Sequence, residues 1–152
     1  MVQSDGTVVD SEIYFHWIMA NIKACNGNVL LGLHNATEPL LNWSSSRMNF
    51  IFSDGEALYG FRNYGGGSQY DYYLGYYDGL AIQNPNNFRA IRSQYYNDGE
   101  NEGMSTIPAH ALVYIPRDGD VVLYPNFDFD TFGTEVSGIV SGTWSASVKI
   151  CK

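Results

Sequence analysis

Two carboxylates, Asp10 and Glu12, head an apolar and aromatic run, Val9-Asp10-Ser11-Glu12-Ile13-Tyr14-Phe15-His16-Trp17-Ile18-Met19. Acids at a helix start can do two things. They cap free N–H groups and complement the helix dipole, or they face a ligand cation with their geometry fixed by the backbone. Other groups with chemistry are sparse. Cys25 and Cys151 are the only cysteines, with no Cys-x-x-Cys and no Cys/His pairing at ligand spacing. Two free, buried or partly buried thiols are therefore expected, with neither a zinc site nor a disulfide framework. His16, His34 and His110 lie far apart and read as structural residues, so no metal is expected. Gly65-Gly66-Gly67 lacks the helix with Lys and Ser or Thr that a phosphate loop needs, and it reads as plain loop. Asp128 and Asp130 lack the glycine of an EF-hand calcium loop and read as a solvated acidic loop. With no nucleophile elbow and no metalloprotease helix, the residues alone show no catalytic nucleophile and call for no cofactor.

These groups need elements to hold them. From Asp10 to Cys25 the spacing is helical, with Ile13, Trp17, Ala20 and Ala24 on one side and Tyr14, Ile18 and Ile22 beside them. Asp10 is a suitable N-cap, Glu12 falls in the first turn, and Asn26-Gly27 ends the pattern. From Asn28 to Arg47 the pattern is open; Val29 to Leu33 fits a helix or a short strand. Met48 to Arg62 carries the hairpin signal Ser53-Asp54-Gly55-Glu56 between two alternating runs, and Asp-Gly suits a two-residue turn. Tyr70 to Tyr77 and Phe88 to Ser93 read as strands, and Asn97 to Ser105 as a polar connection. His110 to Tyr124 reads as a second hairpin about Arg117-Asp118-Gly119-Asp120, and Val136 to Ile150 as two weak strands. The fold class expected is α+β, one main helix followed by antiparallel strands.

The bulk numbers narrow the function. Sixteen acidic residues against eight basic ones give a net charge of −8, which opposes phosphate-backbone binding, so no nucleic-acid partner is expected. The first residues carry neither basic charge nor an apolar core, and no long apolar run follows; neither a signal peptide nor a membrane span is expected. Asn35-Ala36-Thr37 and Asn42-Trp43-Ser44 match the glycosylation pattern, a short string that matters only in a secretory pathway. Twelve tyrosines and three tryptophans could stack on a sugar, but several sit at strand spacing, which favours a place in the core.

Taken in order, Asp10-Ser11-Glu12 at the head of a helix, then "MNFIFSDGEALYGFR", then "FRAIRSQYYNDGENEGMSTIPAHALVYIPRDGDVVLY", the chain resembles the second half of a class II glutamine amidotransferase domain. In that family a Thr-Asp-Ser/Thr-Glu motif opens a helix. A strand, a Ser-Asp-Gly turn and a strand bearing Leu-Tyr-Ala-x-Arg follow it. The resemblance covers roughly Val9 to Tyr124, with Val9 where the family has threonine and Tyr95 where it often has proline. It implies part of an Ntn-hydrolase αββα sandwich over 9–125, with 126–152 as a β-prone tail or the start of a further module. It also implies that Asp10 binds the α-ammonium of glutamine, that Glu12 is structural, and that the protein is cytoplasmic.

The family's mechanism uses an N-terminal cysteine that attacks the side-chain amide and releases ammonia through a thioester. Here the sequence begins Met1-Val2, and the resemblance puts the family's Asn-Gly oxyanion donors and the arginine that holds the substrate carboxylate upstream of this chain. The expectation is a C-terminal half without catalytic residues, inactive alone, that self-associates or pairs with a missing N-terminal half. The alternative is a non-catalytic, β-rich module that binds an amino acid or a sugar, in an extracellular setting.

Overall fold

The computed structural model describes residues 10–39, 49–63, 74–79, 88–93, 104–125, 127 and 140–141. The chain divides into two compact units, one of residues 1–44 with 145–152 and one of residues 45–144.

In the first unit, helix α1 (Asp10–Ala24) runs into helix α2 (Val29–Thr37). The stop is the expected one: Asn26 and Gly27 both take positive φ, 55° and 83°, and the Gly27 N–H donates to the Ile22 carbonyl. Val29 to Leu33, open to two readings in the sequence, is helical because Asn28 caps it, its side chain accepting from the Leu31 N–H at 3.0 Å. The buried stripe of α1 is Ile18 and Ile22, continued by Cys25 just past the helix end. The neighbouring row expected to face inward does not: Ile13 is 58% exposed and Trp17 43%. Trp17 still ties the pair, because its indole Nε1 donates to the Ala36 carbonyl at 3.0 Å.

The helices meet at Gly32. A Cβ there would lie 2.6 Å from Ile22 Cγ1 and 2.7 Å from Ile22 N, so side-chain rotation alone cannot make room. The contact decides which stripe of α1 is buried, since only the Ile18–Ile22 row brings backbone against the glycine.

Cys25 corrects the expectation of free thiols: it is disulfide-bonded. The sequence holds one other cysteine, Cys151, which lies outside the described residues. No spacing rule announces such a bond, because partners far apart in sequence are set by the fold. Beside it, Asn35 Nδ2 lies 3.5 Å from Cys25 Sγ.

Among the described residues the second unit holds eight short strands. Strands β1 (Phe50–Ser53), β2 (Ala57–Arg62), β6 (Ala111–Pro116), β7 (Val122–Tyr124) and β8 (Val140–Ser141) form one sheet in that order. Its pairs are antiparallel except β7–β8, which is parallel. Strands β4 (Arg89–Ser93), β3 (Leu74–Asp78) and β5 (Ser105–Thr106) form an antiparallel second sheet in that order. The α+β class is therefore observed, with two helices among the described residues where one main helix was expected. Strand β5 falls where a polar connection was expected. Of the two weak strands read in Val136 to Ile150, β8 is the part within the described residues.

Strand alternation sorts the side chains of β2. Leu58, Gly60 and Arg62 share a face with their partners Ile115, Val113 and Ala111 on β6. This aliphatic face forms a core with Leu74 and Tyr76 of the second sheet and with Ile107 and Leu123, and Ile91 packs on it. Gly60 marks the closest approach, as a Cβ there would sit 2.9 Å from Ile91 Cγ2. Arg62 reaches along this face to donate from Nη1 to the Ile107 carbonyl. The opposite face is aromatic: Phe50 lies against Phe61, Phe61 against Phe127, and Tyr59 against Tyr114.

Two measurements check this description. Gly32→Ala is expected to lower stability by about 1–3 kcal/mol through overpacking against Ile22, seen as a shifted urea midpoint with an unchanged slope. The native chain is expected to leave Cys25 unlabelled by a thiol-reactive probe, and reduction to lower stability by about 2–5 kcal/mol. Labelling of Cys25 without reductant would remove the disulfide from the account.

Candidate functional site

Asp10, the substrate-binding residue expected from the sequence, is the first residue of α1, and its side chain lies outside the described residues. Two residues on, half-buried Glu12 places its Oε1 3.8 Å from the Nε2 of exposed His16, an i,i+4 pair suited to a helix-stabilising role. His34 is buried and His110 half-buried. Among the described residues no cluster of three His, Cys, Asp or Glu side chains could hold a metal ion. Nor is any helix among them long and apolar enough to cross a membrane.

Several other candidates resolve differently. The six described tyrosines are buried or half-buried, Tyr59, Tyr76 and Tyr77 fully, so these rings pack in the fold and do not present an open stacking face. Asn35 of the first glycosylation string lies in α2, and Thr37 is buried with its hydroxyl donating to the His34 carbonyl. Neither is arranged as an exposed acceptor loop. Gly65-Gly66-Gly67, Asp128, Asp130 and Asn42-Trp43-Ser44 lie outside the described residues.

The geometry the sequence did not reveal lies where two hairpin turns meet. Ser53 pairs with Leu58, so four residues, Asp54 to Ala57, lie between the last paired residues of β1 and β2 instead of the two that Asp-Gly suggested. Asp54 is the reason the longer turn holds. Its Oδ1 accepts from the N–H groups of Glu56 and Ala57, both at 2.9 Å, and its Oδ2 from the Tyr59 hydroxyl at 2.8 Å. Ser53 completes the turn, its hydroxyl donating to the Ala57 carbonyl and accepting from the Gly55 N–H.

Beside this turn the β2–β6 ladder carries on, as the Arg117 N–H donates to the Glu56 carbonyl at 3.0 Å. Arg117 Nη2 donates to the Gly55 carbonyl at 3.0 Å, and Nη1 lies 4.0 Å from Glu56 Oε2. From the second sheet, Arg89 Nε donates to Asp78 Oδ1 at 2.9 Å and Nη1 to the Gly119 carbonyl. The space between is an open cleft of about 310 Å3, lined by Ser53, Gly55, Glu56, Arg89 and Arg117 and by the apolar residues Ala57, Leu58, Ile115 and Pro116. Each turn and the start of β4 were legible in the sequence. Their convergence was not, because it follows from the non-sequential pairing of β2 with β6.

Comparison with protein-family models, with curated proteins and with solved structures finds no match to this chain.

The Asp54 turn makes a pH-dependent prediction. Burial alone would raise the Asp54 pKa, but hydrogen bonds from the Glu56 N–H, the Tyr59 hydroxyl and the Ala57 N–H together hold it below the ordinary carboxylate value. A lowered folded pKa stabilises the fold above the unfolded pKa, and the gain is lost as pH falls through the folded value. Asp54→Asn is expected to cost about 1 kcal/mol at neutral pH, a modest figure because the turn is exposed. The gap to wild type should close in acid. A gap independent of pH in denaturant titrations would contradict the assignment.

Proposed function

We propose that this chain is the C-terminal half of a class II glutamine amidotransferase-like domain, in which Asp10 receives the α-ammonium of glutamine. The observation that carries the reading is the order of elements. A helix opens at Asp10, a hairpin turns at Ser53-Asp54-Gly55 and continues as Leu58-Tyr59-Gly60-Phe61-Arg62, and a last hairpin turns at 117–120. The helix pair and the two sheets are the kinds of layer an αββα sandwich requires. An aspartate at a helix start suits an ammonium ligand, because the backbone fixes its position and the carboxylate gives charge-assisted hydrogen bonds.

The chemistry proposed is partial. Amide attack needs a thiolate, and Cys25 offers none because its sulfur is held in a disulfide. Glutamine hydrolysis would therefore depend on a nucleophile and oxyanion donors from an N-terminal half, or be lost in a chain that only binds. Partnership is supported by the side chains α1 leaves in solvent, Ile13, Phe15, Trp17 and Met19, which a covering layer would shield.

A second reading is favoured by the same disulfide. Stable disulfides belong to oxidising compartments, which suits an extracellular module binding an amino acid or a sugar better than a cytoplasmic enzyme. Calorimetry with glutamine, asparagine and simple saccharides separates the two. The first reading expects heat with glutamine, at least roughly tenfold weaker binding in Asp10→Asn, and ammonia release no faster than a blank. Heat with a saccharide alone would favour the second, and silence from all ligands would end both.

A further inference from the structure

The cleft between the two turns has a chemistry that the glutamine reading does not use, and Asp10 is not among its lining residues. Two of the chain's eight basic residues line it in a molecule of net charge −8. Both guanidiniums are held in place by backbone carbonyls, Arg89 by Gly119 and Arg117 by Gly55. Both keep donors to offer. Arg89 Nη2 has no acceptor among the described residues, and Arg117 Nη1 stands 4.0 Å from Glu56, beyond hydrogen-bond range. Arg89 is the better fixed of the two, with a side chain 11% exposed and paired to Asp78.

We propose that this cleft binds a small monocarboxylic acid with an apolar body. The carboxylate takes the spare N–H groups of Arg117 and Arg89, and the hydrocarbon lies against Leu58 and Ile115, which pair across β2 and β6 on one face of the sheet. A carboxylate matches the planar fork of guanidinium donors. A dianion such as phosphate fits less well, since Glu56 stands on the rim and the whole chain is acidic. Leu58 and Ile115 offer no polar side-chain group to a hydrophilic body, and about 310 Å3 is at the small end of ligand clefts.

The test titrates the full chain, by NMR or calorimetry, with 4-methylpentanoate, its neutral amide 4-methylpentanamide, and inorganic phosphate. The acid should bind, and the amide roughly tenfold more weakly, since it keeps the body and loses the charge. Phosphate should bind more weakly than the acid. Arg117→Gln should weaken the acid roughly tenfold, Arg117→Lys by less, and Asp10→Asn not at all. The proposal is overturned if the acid does not bind, if acid and amide bind alike, if phosphate binds tighter, or if Arg117→Gln leaves affinity unchanged. A melt by circular dichroism establishes that Arg117→Gln is folded; should it not be, Arg117→Lys and the acid–amide pair decide.

Discussion

The second unit depends on one constraint: strand β2 is covered on both faces, while its side chains can point only alternately to one or the other. Ala57, Tyr59 and Phe61 are buried on the aromatic face; Leu58 and Gly60 are half-buried or buried on the aliphatic one. A shift of pairing by a single residue would send tyrosine and phenylalanine rings into the narrow space where Gly60 passes under Ile91. The register with β1 and β6 is therefore fixed from both sides. The position of each turn follows from that register, and so does the meeting of Glu56 with Arg117 at the strand ends.

The helix pair obeys a parallel rule. Gly32 allows backbone to approach Ile22, and the choice of contact stripe on α1 follows from that approach. Helical periodicity marked Ile13–Trp17 and Tyr14–Ile18–Ile22 almost equally, because α1 is apolar on more than one side. Only the partner's small residue distinguishes them. Trp17 is the compromise: its ring stays partly in solvent while its indole N–H closes the Ala36 carbonyl in the last turn of α2, where the backbone N–H four residues on is no longer part of that helix.

The legible parts of the chain were those specified locally. Asn26-Gly27 ends α1 because few other residues accept positive φ. Both hairpins form about Asp-Gly sequences, and β4 was read within a residue of its observed start. The errors have a common source in interactions between distant residues. Asp54-Gly55 suggests a two-residue turn, but Tyr59 and two backbone amides hold the Asp54 carboxylate in a longer one. Two cysteines at opposite ends of a sequence look solitary, yet Cys25 is bonded. The Arg89–Arg117 cleft is a product of topology, and neither residue stands out in its own segment. Asp10 is different, since its position at a helix start was legible while its proposed ligand rests on resemblance.

The use of arginine shows how an acidic chain of short strands keeps its connections in order. Arg62, Arg89 and Arg117 each donate to a backbone carbonyl distant in sequence, at Ile107, Gly119 and Gly55. Irregular segments carry carbonyls that no ladder satisfies, and a guanidinium can close one while its remaining donors serve another partner. Lysine would supply the charge but not the planar fork, and in water its ammonium is more strongly hydrated. Where such a clamp is partly enclosed, as Arg62 is along the aliphatic face, it holds the loop at Ile107 from within the sheet packing. At the edge of the sheets the same clamp leaves N–H groups facing solvent, and Arg89, enclosed and paired to Asp78, has given up more of its side-chain freedom before any ligand arrives than the exposed Arg117. The structural work of holding two turns together thus produces, without further residues, a set of donors beside apolar side chains.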